Sequence, residues 1–193
     1  MSQRHNAIVV GIVADLHDPE RLGRVRVTYP NNDDQLSNWA RIATPMAGRG
    51  RGFRFTPEVG DEVLVAHEQG DMRRPYVLGG LWSTADPPPP DDGDPVTNNW
   101  RFVVSRSGHL VKLDDTKGAE KVEIVDQSGQ LHVVLDSAAN TIEVTADAGD
   151  IDVTAPAGTV TIEATTVQIK ASATLDLEAG GALTIKGSVV NIN

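Results

Sequence analysis

The sequence contains no cysteine among its 193 residues, which excludes disulfide bonds and thiolate metal ligands. Phenylalanine, tryptophan and tyrosine make up only 4% of it, so the core of any folded unit must be aliphatic. No segment shows helical periodicity, and the apolar run AIVVGIVA at residues 7–14 is β-branched and too short to span a bilayer. These absences indicate an all-β protein that is stabilised by packing or assembly.

The charge of the chain is unevenly distributed. The net charge is −10, of which residues 1–90 contribute −1 and residues 91–193 contribute −9. Nonspecific affinity for nucleic acid comes mainly from lysine and arginine side chains that neutralise phosphates. The charge therefore argues against nucleic acid as a partner, most strongly for the second half.

The first half contains five short apolar runs that alternate with turn residues such as Asp-Pro, Asn-Asn and Gly-Asp, and this pattern predicts a small antiparallel barrel. A proline-rich stretch, STADPPPPDDGDP at residues 83–95, then favours an extended spacer. We therefore place a barrel at residues 1–86, a linker at 87–99 and a second unit at 100–193. The predicted barrel strands are AIVVGIVA, GRVRVTY, WARIAT, DEVLVAHE and RPYVLGGL.

The second unit consists of repeats in which two aliphatic residues flank one polar residue. From residue 122 onward the repeats recur every 7 to 11 residues, which leaves room for one short strand and a tight turn. Alternate residues of a strand point to opposite faces, so each aliphatic pair shares one face. The predicted core positions are Val122, Ile124, Leu131, Val133, Ile142, Val144, Ile151, Val153, Val160, Ile162, Val167, Ile169, Leu175, Leu177, Leu183 and Ile185.

A single ribbon of such strands would leave its aliphatic face in water and both of its edges unpaired. Several copies wound about a common axis would bury that face, pair the edges and leave an acidic outer surface. The alternative is a single-chain solenoid, but three strands per rung would give only about three rungs, near the minimum at which repeats become stable. We predict the intertwined oligomer.

The segment GRGRGFRF places Arg49, Arg51 and Arg54 among glycines and phenylalanines. Flexible arginine-glycine segments of this composition hold single-stranded nucleic acid. The alternative is that Phe53 and Phe55, at strand spacing, pack on the barrel while the arginines face solvent or a neighbouring protein. The net charge opposes binding of a polyanion, and the family resemblance described next implies the alternative, because the family has a Gly-containing connection between two barrel strands here.

Four stretches, taken in order, resemble one family. The sequence resembles the central spikes of contractile injection machines: phage baseplate assembly protein V, the valine-glycine repeat spike of type VI secretion, and the spikes of pyocins and extracellular injection particles. The resemblance implies an oligonucleotide/oligosaccharide-binding (OB) barrel followed by a triple-stranded, intertwined β-helix in a homotrimer. The stretches are DPERLGRVRVTYP, the run from SNWARIATPMA to RPYVLGGLW, RFVVSRSGHLVKLDDTKGAEKVEIVDQSG, and the aliphatic repeats.

The resemblance also implies a role and partners. The spike would be a structural, non-enzymatic needle under the inner tube and baseplate, and it would contact the target membrane transiently as it pierces the envelope. A separate hub protein would bind the barrel end, where acidic groups would meet Arg49, Arg51 and Arg54. The spike would be assembled in the cytoplasm and become part of a phage tail or of a secreted or anchored injection particle.

Some spikes of this family bind iron through a His-X-His near the C-terminus, whereas this sequence has no histidine after His132. We therefore expect no intrinsic metal tip and no cofactor. Val190, Ile192 and Asn193 would offer a blunt apolar end that needs a cap. A separate proline-alanine-alanine-arginine (PAAR) tip protein is expected to bind there.

No residue pattern indicates catalysis. Asp114 and Asp115 are adjacent, so they point apart in a strand and are solvated in a turn. The five histidines are scattered without metal-ligand spacing, and His109 matches the family's connection from barrel to needle, where a hydrogen-bonding role is expected. Two other functions stay open: an OB-domain protein that binds nucleic acid or glycan through an oligomerising stalk, and the noncatalytic stalk of a phage-tail hydrolase.

Overall fold

The computed structural model describes residues 8–91 and 96–191. Within them every assigned element is a β-strand except one 3₁₀ turn at Glu68–Gly70, which confirms the all-β prediction. The strands are β1 Ile8–Asp15, β2 Arg26–Tyr29, β3 Gln35–Leu36, β4 Arg41–Ile42, β5 Ala47–Gly48, β6 Arg51–Gly52, β7 Glu62–His67, β8 Pro75–Gly80, β9 Trp100–Val104, β10 Leu110–Asp114, β11 Lys121–Val125, β12 Leu131–Asp136 and β13 Thr141–Ala146.

Six of the first eight strands form one curled sheet in the order β3-β2-β1-β7-β8-β4. Neighbouring strands are antiparallel except β4 and β8, which pair in parallel at Arg41 and Ile42. A bridge between Val25 and Ala40 joins the residue before β2 to the residue before β4, so the sheet curls back towards itself. Each of the five predicted runs contains a strand of this sheet, and the arrangement is consistent with an OB domain.

Valine dominates the core of the curled sheet. Six valine side chains are at most 1% exposed, and Ala40 and Tyr29 are buried beside them. Gly11 of β1 allows close packing here, because a Cβ at this position would lie 3.1 Å from the side chains of both Val27 and Val65. The expected aliphatic core is therefore observed in this unit. The buried valines are Val13, Val25, Val27, Val63, Val65 and Val77.

The Asp18 carboxylate holds the loop between β1 and β2. It accepts hydrogen bonds from the backbone N–H groups of Glu20, Leu22 and Arg24, and from the Arg24 guanidinium at 3.1 and 2.7 Å. The hydrogen bonds from Arg24 hold the pKa of Asp18 far below its usual range. The loop therefore presents Arg21 and Leu22 at the surface on a well-supported backbone.

Strands β9 to β13 form a second sheet, an antiparallel meander in which each strand pairs with the next along the chain. Arg106, in the turn between β9 and β10, forms an ion pair of 3.0 Å with Glu58, which precedes β7 of the first sheet. Residues 147–191 follow as turns, bends and segments without an assigned strand. The meander therefore accounts for only the first part of the aliphatic repeats.

The predicted linker at residues 87–99 lies between β8 and β9, with residues 92–95 outside the described residues. The predicted second unit has two structurally different parts, the meander at residues 100–146 and residues 147–191. A triple-stranded β-helix requires three chains, so it stays a prediction.

Candidate functional site

One face of the meander is aliphatic across all five strands. The cross-strand register aligns two rows of side chains on this face, with Arg101 as the one charged residue in the rows. We call this surface the aliphatic face. Its residues are Leu113, Val122, Leu135 and Ile142 in one row, and Val103, Val111, Ile124, Val133 and Val144 in the other.

Much of the aliphatic face is exposed in the single chain. Ile142 and Val144 of β13 are 75% and 58% exposed, and Val111 and Ile124 in the middle of the sheet are also exposed. Folded monomers rarely leave a continuous apolar surface of this kind in water. The face therefore has the properties of an assembly surface.

The predicted core positions beyond the meander are all exposed in the single chain, from 50% at Val167 to 72% at Val153. In residues 147–191 no backbone ladder to another strand is assigned. Of the three predicted tip contacts, Val190 is exposed, and Ile192 and Asn193 lie outside the described residues. The aliphatic side chains of this segment are therefore exposed to water in the single chain.

The opposite face of the meander carries a buried ionic cluster. The Lys112 ammonium forms ion pairs with Glu123 and, at 3.8 Å, with Asp114, and it lies 4.1 Å from the centroid of the Trp100 ring. Lys121 contacts Glu123 at 3.1 Å. Burial raises the pKa of Glu123, but hydrogen bonds and charge from the two lysines outweigh it, so the pKa lies below its usual range. Sequence reasoning missed this cluster.

The solvated turn predicted for Asp114 and Asp115 is wrong for Asp114, which is the last residue of β10. Asp114 is buried and accepts a hydrogen bond from the Thr116 backbone N–H at 3.0 Å, whereas Asp115 is exposed and contacts Arg101 at 3.4 Å. Across residues 8–91 and 96–191, no cluster of three or more histidine, aspartate or glutamate side chains could hold a metal ion. None of these residues forms a helix that could cross a membrane.

Residues 9–82, which include nearly all of the curled sheet, match the family described as type VI secretion system/phage-baseplate injector OB domain. This match supports a relationship to baseplate and VgrG-like spikes. The resemblance inferred from the sequence is thereby confirmed. Within this injector OB domain, the β1–β2 loop, the β5–β6 hairpin and the end of β8 lie at the surface.

Spike proteins of Pseudomonas aeruginosa are among the relatives of the chain. The type VI secretion system spike protein VgrG4b is 32% identical over 125 residues, which are 60% of this chain and 16% of the relative. VgrG1a is 24% identical over 147 residues, 70% of this chain and 23% of the relative. VgrG1b is 25% identical over 135 residues, which are 64% of this chain and 18% of the relative. The chain therefore spans less than a quarter of the length of these relatives.

In the injector OB domain, the GRGRGFRF segment forms a short hairpin of β5 and β6 with Arg49 and Gly50 at its turn. Gly52 is required there, because its φ is +147° and a Cβ would lie 2.5 Å from the Met46 carbonyl oxygen. The rings of Phe53 and Phe55 stack with centroids 6.4 Å apart, yet they are 52% and 67% exposed. The two rings therefore lie on the surface of the domain, outside its valine core.

His109 lies in the turn between β9 and β10, beyond the injector OB domain. Its Nδ1 accepts a hydrogen bond from the Gln127 backbone N–H at 3.1 Å, which places the proton of the neutral ring on Nε2. Ser105 supports the same turn, because its hydroxyl accepts a hydrogen bond from the His109 backbone N–H at 3.0 Å. The hydrogen-bonding role expected of His109 is therefore observed.

Proposed function

We propose that the chain is the structural, non-enzymatic central spike of a contractile injection machine. The injector OB domain at residues 9–82 supports this proposal. The observation that carries it is the exposed aliphatic surface that begins on the meander and continues through residues 147–191. Such a surface is stable in water only when other chains bury it.

In this proposal three copies bury their aliphatic faces against one another about a common axis. Residues 147–191 of the three copies wind into a triple-stranded β-helix whose interchain ladders satisfy the backbone groups of that segment. The free edges of the meander, at β9 and β13, would pair in the same assembly. The resulting needle has an aliphatic interior and a carboxylate-rich exterior.

The proposed mechanism is mechanical. Contraction of a sheath would drive the needle through an envelope, with transient contact with the target membrane, and the interchain ladders would supply stiffness. The net charge of −9 in residues 91–193 would limit nonspecific sticking to anionic surfaces during passage. Assembly in the cytoplasm, as part of a phage tail or of a secreted or anchored particle, belongs to the same proposal.

Two partners complete the proposed spike, together with the inner tube and baseplate above it. A hub protein would bind the OB end, with acidic groups against Arg49, Arg51 and Arg54 on the exposed hairpin. A PAAR-type tip protein would cover the other end, where Val190 is exposed and residues 192–193 follow.

We expect the purified chain to have the mass of three chains in light scattering behind size exclusion, and that mass should not change on dilution. The physical reason is that the monomer leaves an extended aliphatic surface in water, so its population should be small. A monomer would contradict the proposal. In that case a single-chain solenoid and nucleic-acid or glycan binding by the OB domain would be the next explanations to test.

Binding of the hub protein and binding of the tip protein should be lost independently, the first by charge reversal and the second by deletion. Removal of residues 188–193 should abolish binding of the tip protein without changing the trimer mass, because the deleted segment lies beyond the last predicted core pair. Arg49→Glu with Arg51→Glu should weaken hub binding and leave tip binding unchanged. Co-purification with each partner provides the measurement, and a truncated chain that retains the tip would contradict the predicted tip contact.

A further inference from the structure

A groove of about 600 Å³ runs across the surface of the OB domain. Its walls are the segment that follows β4, the Phe53–Pro57 segment, the end of β8 and the Arg21–Gly23 part of the β1–β2 loop. Leu22, Phe53 and Phe55 supply exposed apolar surface along these walls. Among the described residues that line the groove, the charged side chains are the cations Arg21 and Arg54.

The floor of the groove includes an open strand edge. On one side β8 pairs with β7 as far as Gly80, but on its other side β4 pairs with it only as far as Val77. The last hydrogen bond on the β4 side of β8 is donated by the Ala43 N–H to the Val77 carbonyl oxygen at 2.7 Å. In the part of the chain that the structure describes, no strand pairs with this side of Leu78–Gly80.

The face of the strand is also open at Gly79 and Gly80. A Cβ at Gly79 would meet no atom within 4 Å, and a Cβ at Gly80 would meet only the Glu62 carbonyl oxygen, at 4.0 Å. Neither glycine has the left-handed φ at which a side chain is strained. Leu78, Gly79 and Gly80 are all exposed, and no side chain at the two glycines crowds the groove.

The two cations of the groove also lack ion-pair partners among the described residues. Arg24, Arg73 and Arg74 of the OB domain form ion pairs with nearby carboxylates. In residues 8–91 and 96–191, by contrast, no ion pair engages Arg21 or Arg54. The groove thus combines an open strand edge, apolar walls and unneutralised positive charge.

We propose that this groove binds an extended, acidic segment of a partner protein by strand addition along Leu78–Gly80. Strand addition uses main-chain hydrogen bonds for affinity and alternate side chains for specificity. Apolar side chains of the segment would contact Phe53 and Phe55, and its carboxylates would pair with Arg21 and Arg54. Nucleic acid fits less well, because its backbone supplies no N–H and C=O ladder for an open strand edge. The groove belongs to the OB domain alone, so the proposal does not depend on the trimeric needle.

The test uses the full chain and a fluorescein-labelled peptide of alternating valine and glutamate, followed by fluorescence anisotropy. We expect the peptide to bind, and we expect about tenfold weaker binding after Arg54→Glu, since a charge-assisted contact becomes a repulsion. Gly80→Pro should also abolish binding, because proline supplies no N–H donor for the ladder along the strand edge. Arg73→Glu is the matched control: it changes the net charge equally at an exposed position of the same domain but lies outside the groove lining.

Two further probes separate the sources of affinity. A peptide N-methylated at alternate residues should not bind, because N-methyl groups remove the ladder donors, and a valine–lysine peptide should be rejected by Arg21 and Arg54. The proposal is overturned if the acidic peptide does not bind, if Gly80→Pro binds it normally, or if oligodeoxythymidine binds and its binding is lost with the same substitutions. Circular dichroism must show that each variant keeps the fold of the unchanged chain. If the unchanged chain has the mass of three chains but does not bind the peptide, the groove proposal is contradicted and the spike proposal is not.

Discussion

Val144→Asp is expected to prevent assembly of the chain into trimers. In the single chain Val144 is 58% exposed on the edge strand β13, so aspartate there would cost the monomer little. In the proposed trimer the same substitution buries three carboxylates among aliphatic side chains near Val133, the cross-strand neighbour of Val144. An uncompensated buried charge costs roughly 3 to 5 kcal/mol. Three such charges should therefore destabilise the trimer much more than the monomer.

Light scattering gives the mass of the Val144→Asp chain, and thermal unfolding gives its midpoint. Glu143→Gln is the matched control, because Glu143 is the neighbouring residue of β13 on the opposite face, where it lies opposite Val134. The control should keep the mass of three chains. A Val144→Asp chain with unchanged mass and unchanged midpoint would show that the aliphatic face is not an interface between copies.

Lys112→Met is expected to destabilise the meander by roughly 3 kcal/mol, the cost of breaking a buried ion pair by removing one partner. Methionine keeps an unbranched apolar stem next to Trp100, so the packing loss is small and the charge loss dominates. The change leaves the Glu123 carboxylate, whose side chain is only 15% exposed, with Lys121 as its remaining partner. Urea unfolding followed by tryptophan fluorescence provides the measurement.

A second substitution tests whether the lost ion pair causes the destabilisation by Lys112→Met. Lys112→Met combined with Glu123→Leu should recover most of the lost stability, because both charges of the pair are then replaced by apolar groups. Failure of the double variant to recover would mean that the Lys112 side chain also stabilises the meander through Asp114 or through packing on Trp100.

The ionic cluster of Lys112 and Glu123 predicts that the stability of the meander decreases at acid pH. The pKa of Glu123 is lower in the folded chain than its ordinary value, so its contribution to stability is fully present above the pKa of the unfolded chain, about 4.3. That contribution is lost as the pH falls through the lower, folded-state pKa. Glu123→Leu should therefore reduce the loss of stability between neutral pH and pH values below about 4.

Much of the first unit could be predicted from local pattern. The five β-branched runs each contain a strand of the curled sheet, and low aromatic content correctly implied an aliphatic core. In the repeats, Val122 and Ile124 share a face, as do Ile142 and Val144, because strand periodicity depends only on neighbouring residues. The order of the motifs was specific enough to indicate the spike family, which the match at residues 9–82 bears out.

The features missed from the sequence depend on which strands meet. Lys112 and Glu123 are distant in the chain and become neighbours only because β10 and β11 pair in one register. A shift of that register by one residue would move the lysine away from its partner, and nothing in the spacing of the two residues reveals the register. The surface position of Phe53 and Phe55 likewise depends on where the β5–β6 hairpin leaves the sheet.

The sequence by itself determined the five main strands of the curled sheet, an aliphatic core and the aliphatic pairs of β11 to β13, because these follow from side-chain chemistry at a period of two residues. The strands predicted for the later repeats are not assigned within residues 147–191 of the single chain. Only the tertiary structure decided that an ionic cluster lies on the sheet face opposite the aliphatic face. It also decided that β4 stops pairing with β8 at Val77, which leaves the Leu78–Gly80 edge open. The physical reason is that ion pairs and open strand edges arise from long-range pairing of the backbone, whose geometry is set by the whole curled sheet and not by any one segment.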